Sequence, residues 1–398
     1  PHSFQGHDGP IATTTGQMTN PLYNAFLEAT LSAGYPSNLD VNGPTQEGFG
    51  AIPMTVDAGV RASTYRAYID KNPQQKNLTI ATNANAQKIL IRHGKAEGVC
   101  YSQGKKLITS FAKSEVILCA GAISSPQLLM LSGIGDAEEL GKFQIKTHSD
   151  LPGVGKNLMD HLEVYVQQAC SKPISLHKNL SWFGKAIIGA QWLTSRQGLG
   201  ATNHFEVGGF IKSDDQLSYP DIQFHFLPVA MSYDGKVKAS QHGFQVHVGP
   251  MLPKSRGSVS LNSGDSKTAP KIKFNYMSHD EDFFVFRKAI AAARKIFRQS
   301  PFDEFRGKEL SPGERCQSNQ EIDTFIRKNA ESAYHPCGTC KMGVDKESVV
   351  DSTGKVYGID NLRVADASIF PQITNGNLNA PTIMVAERIA DLIKENKR

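Results

Sequence analysis

The chain has 398 residues, of which 39% are hydrophobic and 20% charged, and its net charge of +5 comes from 43 basic and 38 acidic side chains. This is the composition of a globular protein long enough for two domains, and it excludes a disordered or fibrous chain. The basic residues form no dense stripe, which argues against nucleic-acid binding, and no apolar run has the length and purity of a membrane-spanning helix.

Turn-forming groups such as Asp8-Gly9-Pro10 and Asn42-Gly43-Pro44 punctuate the N-terminal region. Between them Tyr23, Phe26, Leu27 and Leu31 recur at helical spacing, and Gly34 ends the predicted helix. Residues 78–82 read as a strand, and residues 86–92 with 98–101 as a hairpin. The run at 115–120 is nearly continuously apolar, as in strands of parallel sheets. It leads into a helix expected to begin near Pro126, with the proline in its first turn. Further on, 164–166, 223–226, 245–248 and 258–261 alternate like antiparallel strands. An amphipathic helix follows at 280–297, with Phe284, Ile290, Ala293 and Ile296 on one face. A strand at 362–364 and a helix at 381–394 close the chain. The alternation predicts an α/β (α+β) two-domain fold. A discontinuous cofactor domain would occupy 1–160 and 332–398. A substrate domain at 161–331 would carry an antiparallel sheet flanked by helices.

Two segments near the C-terminus carry the chemistry. One is Ser332-Ala333-Tyr334-His335-Pro336; the other is Asn377-Leu378-Asn379-Ala380-Pro381-Thr382, which opens the last helix. An imidazole can take a hydroxyl proton, and an amide can donate to the developing oxyanion. His335 and Asn379 therefore form a candidate pair for alcohol oxidation. Asn379 also suits a helix cap, and the two uses are compatible. Cys337 and Cys340 form the only close pair among six cysteines. They read as structural thiols; a redox dithiol or half of a zinc site would be the alternatives, and no second close pair completes a metal site.

Residues 121–135, beginning Gly121-Ala122-Ile123-Ser124-Ser125-Pro126, resemble a signature of the glucose–methanol–choline (GMC) oxidoreductases. Leu151-Pro152-Gly153-Val154-Gly155-Lys156-Asn157-Leu158-Met159-Asp160-His161, the His335 and Asn379 segments and Asp366-Ala367-Ser368 continue the pattern. Phrases such as Gln167-Gln168-Ala169-Cys170 and residues 220–228, 245–251 and 305–310 resemble the choline-oxidising branch. The resemblance implies FAD as cofactor and oxidation of choline to betaine aldehyde, with hydride passing to the flavin N5. His335 and Asn379 match the catalytic positions. Ala86, Asp366, Ala367, Asn379, Pro381 and Thr382 match flavin-nucleotide contacts. Glu206 matches the counter-ion of a quaternary ammonium, which needs aromatic faces and a carboxylate, and His242 is a second candidate for that pocket. The resemblance also implies a respiratory acceptor such as a quinone, peripheral membrane association and a mitochondrial location at the inner membrane. No Gly-x-Gly-x-x-Gly turn opens the chain, and Pro1-His2-Ser3 has no signal character, so the sequence reads as a fragment with an incomplete Rossmann-like FAD domain. Another alcohol oxidase or lyase of the same fold, or a remnant serving only as a binding module, are the alternative readings.

Overall fold

The computed structural model describes residues 6–71, 75–231 and 241–395. Its longer helices, in chain order, are α1 (Pro21–Ser32), α2 (Gly121–Leu131), α3 (Trp182–Ser195), α4 (Asp280–Phe297), α5 (Asn319–Asn329) and α6 (Asn379–Glu395). The strands that matter below begin with β1 (Gly48–Ala51), β2 (Ala84–Arg92), β3 (Lys95–Gln103), β4 (Lys106–Phe111) and β5 (Val116–Leu118). They continue with β6 (Leu162–Cys170), β7 (Val207–Ile211), β8 (Ile222–Leu227) and β9 (Gly243–Pro250). The last four are β10 (Ser258–Ser260), β11 (Lys271–Lys273), β12 (Arg306–Ser311) and β13 (Leu362–Val364).

The chain divides into two compact units. The first comprises Pro1–Leu78, Leu162–Met251 and Phe283–Glu331, and the second Thr79–His161, Leu252–Asp282 and Ser332–Arg398. Compared with the expected division, residues 1–78 group with the sheet material and 252–282 with the strand-and-helix material.

The first unit is built on an antiparallel sheet of order β12-β6-β9-β8-β7-β1. Period-2 alternation gives this sheet two different faces. Phe49, Phe224, Phe226 and Phe244 project to one side, where Phe26 of α1 and Phe297 of α4 complete a phenyl core. Phe26 stacks on Phe226 at 4.5 Å and Phe244 on Phe302 at 4.9 Å. The other face carries Glu163, Tyr165, Gln167, Gln223, His225, Gln245 and His247, placed side by side by the register Tyr165↔His247, Gln167↔Gln245 and His225↔His247.

The second unit holds the hairpin β2–β3 with β4 added, and a parallel pair, β5 with β13. Leu118, Leu129, Ile134, Val350 and Val364 form its aliphatic core. The predicted strand at 258–261 lies here, as β10 paired with β11.

Four expectations are corrected. Residues 78–82 form no strand; Leu78 and Ile80 are exposed, and no neighbouring strand pairs with them among the described residues. Helix α2 starts at Gly121, so Pro126 lies inside it. The proline withholds an N–H from the Ala122 carbonyl, which instead accepts the Thr339 hydroxyl at 2.6 Å. On α4, Phe284 is exposed, and Phe283, Phe286, Ala289, Ile290, Ala293 and Ile296 face the core. On α1, Leu31 is exposed, and Leu22, Tyr23, Phe26 and Ala29 are buried.

Candidate active site

Three of the sequence motifs converge in the second unit. Met159 and Cys337 exchange backbone hydrogen bonds at 3.0 Å, Gly338 donates to the Ala367 carbonyl, and Cys340 to that of Ser368. The segment bearing His335 is thereby fastened to Met159, just before Asp160, on one side and to the residues that follow β13 on the other. Gly338 must be glycine here: its φ is +89°, and an added Cβ would lie 2.5 Å from Met159 Cε.

His335 is placed by a buried carboxylate. Asp160 accepts the His335 backbone N–H at 2.9 Å, the Ser332 hydroxyl at 2.6 Å and the Tyr276 hydroxyl at 2.6 Å. Burial, and then Asp160, push the Tyr276 hydroxyl far above its ordinary pKa, so it stays a donor. The His335 ring meets His161 edge-on, with the two Nδ1 atoms 3.0 Å apart. One of these nitrogens must carry the proton and the other a lone pair. The Asn377 amide nitrogen stands 3.5 Å from His335 Nε2. A donor there calls for a lone pair on Nε2, which puts the His335 proton on Nδ1, directed at His161. The arrangement presents Nε2 as a base.

Asn379, the expected partner, is exposed at the head of α6, and the amide beside His335 is Asn377. Pro381 and Thr382 occupy the first turn of α6, where the Thr382 hydroxyl is turned back to the Leu378 carbonyl. Sequence reasoning quoted Asp160 and His161 within a motif and gave them no role. Their signal was an acid–imidazole pair closing that motif; Tyr276 had none.

Asp366 lies at the C-terminal end of β13, beside the end of β5. Its carboxylate accepts from Gly121 N at 2.9 Å, Ser125 Oγ at 2.5 Å and Ser368 N at 2.8 Å. Neighbouring ends of parallel strands, with the N-terminus of α2 between them, suit an anionic dinucleotide. Gly121 faces open space, since an added Cβ there would meet nothing within 4 Å. These residues fit a diphosphate-bearing cofactor. Ala86 is exposed on β2, opposite Tyr101. Cys337 and Cys340 are buried free thiols, and burial raises both far above the ordinary pKa, which suits packing rather than redox chemistry. Among the described residues no group of three metal-ligating side chains occurs.

In the first unit, Glu206 is 6% exposed. Its carboxylate accepts from Met18 N at 2.6 Å and from the Thr202 hydroxyl at 2.8 Å. The chain at Gly16 crosses so close that a Cβ there would lie 2.4 Å from Glu206 Cγ. Among the described residues Glu206 has no ion-pair partner. His242 is elsewhere on the sheet, at the head of β9, where Ser175 Oγ lies 2.7 Å from its Nδ1. Burial, then the nearby His177 and Lys178, lower its pKa. The two candidates share no hydrogen bond among the described residues.

The polar sheet face adds a chain that sequence reasoning missed. Gln245 Oε1 accepts from Gln167 Nε2 at 2.7 Å and from Met231 N at 2.9 Å, so its amide must donate to His247 Nε2, 2.6 Å away. The His247 proton then sits on Nδ1 and is given to Glu163 at 2.8 Å. The Tyr165 ring lies 4.1 Å from the His247 ring, and Phe205 meets its edge at 5.2 Å. The available signal was polar residues at every second position of three strands.

Comparison with known proteins gives the lineage. Models of the GMC oxidoreductase family match residues 6–163 and 253–386. The chain is 50% identical over 397 residues to a protein named oxygen-dependent choline dehydrogenase from Escherichia coli O139:H28, covering 99% of this chain and 71% of that protein. It is similar in structure to formate oxidase, with a TM-score of 0.92 at 25% identity, covering 98% of this chain and 73% of the other. Pyridoxine 4-oxidase from Mesorbium loti superposes with a TM-score of 0.86 at 28% identity and the same coverage. The expected mixed α/β two-domain architecture is borne out. The expected mitochondrial location is overturned, because the relatives at 50% identity are bacterial. The chain belongs to the GMC oxidoreductase family.

Proposed function

We propose that this protein oxidises choline to betaine aldehyde with FAD as its cofactor, a first step towards glycine betaine. The observation that carries the substrate is Glu206. A buried carboxylate with two neutral donors and, among the described residues, no ion-pair partner is costly to leave unbalanced, and a quaternary ammonium would neutralise it without needing a hydrogen bond. The 50% identity to a choline dehydrogenase supports the same reading.

The residues take these roles. Asp366, Ala367 and the N-terminus of α2 hold the diphosphate end of the cofactor, with Ala86 beside its adenine. Pro381 and Thr382 would contact the flavin ring, and the positive end of α6 would favour negative charge there. FAD, when bound, supplies the hydride acceptor. His335 Nε2 takes the hydroxyl proton, and His161, 3.0 Å from Nδ1, fixes the tautomer that keeps a lone pair on Nε2. Asn379 donates to the alcohol oxygen, and Asn377 holds the His335 ring. Glu206 anchors the ammonium group and so favours choline over neutral alcohols of the same size. His242 remains a second candidate for the choline pocket. The electrons leave to a quinone-type respiratory acceptor at a membrane surface.

The test is turnover of the FAD-loaded protein with choline, trapping the aldehyde and assaying a quinone analogue against oxygen. Betaine aldehyde formed in step with quinone reduction is expected. Oxidation of other primary alcohols with none of choline would overturn the substrate. Peroxide formed mole for mole with aldehyde would assign the electrons to oxygen.

A further inference from the structure

Helix α3 (Trp182–Ser195) has no buried residue along its whole length, yet its sequence is apolar. Trp182 is 84% exposed, Phe183 68%, Ile187 53% and Leu193 68%. At 100° per residue, Trp182, Phe183, Ala186, Ile187, Ala190 and Leu193 fall within a single arc of about 140°. The opposite side carries Ile188 and Trp192, both half-buried. Trp192 donates its indole N–H to the Gly59 carbonyl at 2.7 Å, and Gly200 closes against Trp192 and Ile188. The helix is therefore docked by one side, and the outward side is the more apolar one. A solvated helix has the reverse pattern.

The surrounding charge is one-sided. From Ser171 to Phe205 the sequence has no Asp or Glu, and it contains Lys172, Lys178, Lys185 and Arg196. Lys172 pairs with Glu304. Among the described residues Lys178, Lys185 and Arg196 have no ion pair, and they stand before, along and just after the helix. No helix among the described residues is long and apolar enough to cross a membrane.

We infer that the outward face of α3 docks on an anionic lipid bilayer, with Trp182, Phe183, Ile187 and Leu193 entering the headgroup boundary and Lys178, Lys185 and Arg196 pairing with lipid phosphates. An apolar arc flanked by cations, in a stretch of sequence without an acid, matches a negatively charged interface. It does not match a second copy of the same face, whose cations would be repelled. The inference names the surface behind the membrane contact proposed above and is independent of the substrate assignment.

The experiment is sedimentation of the full chain with phosphatidylcholine vesicles and with vesicles one-third phosphatidylglycerol, with Trp emission recorded in parallel. At least tenfold more protein should sediment with the anionic vesicles, together with a blue shift that W182F removes. The double variant F183E/I187E should lose that binding, and K178E/K185E should weaken it several-fold while circular dichroism stays unchanged. Equal binding to both vesicle types, or wild-type binding by F183E/I187E, would overturn the inference. So would a dimer that F183E/I187E dissociates without changing vesicle binding, which would assign the face to a second copy. Choline turnover is not read in this assay, so failure here leaves the catalytic reading standing and failure there leaves this one.

Discussion

Asp160 and Glu206 are both buried carboxylates, 4% and 6% exposed, but the fold uses them in opposite ways. Asp160 receives three donors, from His335, Ser332 and Tyr276, and so has its charge satisfied by the protein. Among the described residues Glu206 receives the Met18 amide and the Thr202 hydroxyl. The first carboxylate is a fastening that fixes the catalytic imidazole. On the proposed reading the second keeps its charge for the substrate's ammonium group, so that equal burial separates into structure and recognition once donors are counted.

The comparison can be broken at each end. D160A removes the acceptor of three buried donors and should cost about 4 kcal/mol, the sum of modest penalties for groups left unpaired. Denaturant unfolding should show this loss along with a collapse in turnover; unchanged stability would mean that water replaces the carboxylate freely. E206Q should behave differently. It keeps the hydrogen-bond acceptor and removes the charge, so KM for choline should rise roughly 10- to 100-fold, about 1.4–2.7 kcal/mol. Stability and the rate with 3,3-dimethylbutan-1-ol, a neutral isostere, should barely change. A matched loss with both alcohols would make Glu206 a structural group like Asp160.

The smallest effect concerns His204, two residues from Glu206. Burial lowers its pKa below the ordinary 6.5, against an opposing pull from Glu206, and among the described residues its Nδ1 has no hydrogen-bond partner. The unfolded chain therefore binds the proton first as pH falls. Stability contributed by the neutral ring is present above pH 6.5 and is lost as pH drops through that value towards the lowered folded pKa. Melting temperatures from pH 7.5 to 5.5 should fall for the wild type and fall less for H204N; parallel curves would remove His204 as a cause.

What could be read from sequence was what local pattern controls. The helix at 280–297 announces itself by periodicity, and β5 by its apolar run. Misreadings arose where distant residues decide. Helix α2 begins before Pro126 because Asp366 caps Gly121 and Thr339 serves the carbonyl that the proline leaves bare; both partners are more than two hundred residues away. Residues 78–82 have strand composition but no strand to join. At the site, His335 and Asn379 were visible through their motifs, whereas Asn377, whose amide nitrogen stands 3.5 Å from His335 Nε2, was given no role. The donors around Glu206 come from residues 18 and 202, which no spacing rule connects.

The central claim is that His335 takes the proton from choline. Its most direct test is anaerobic mixing of the FAD-loaded protein with choline, following loss of the oxidised flavin's visible absorption. The wild type should bleach in a single fast phase, and H335Q should bleach roughly 10²- to 10⁴-fold more slowly, the usual worth of a positioned general base. Bleaching of H335Q at the wild-type rate, or no bleaching of the wild type by choline, would contradict the account.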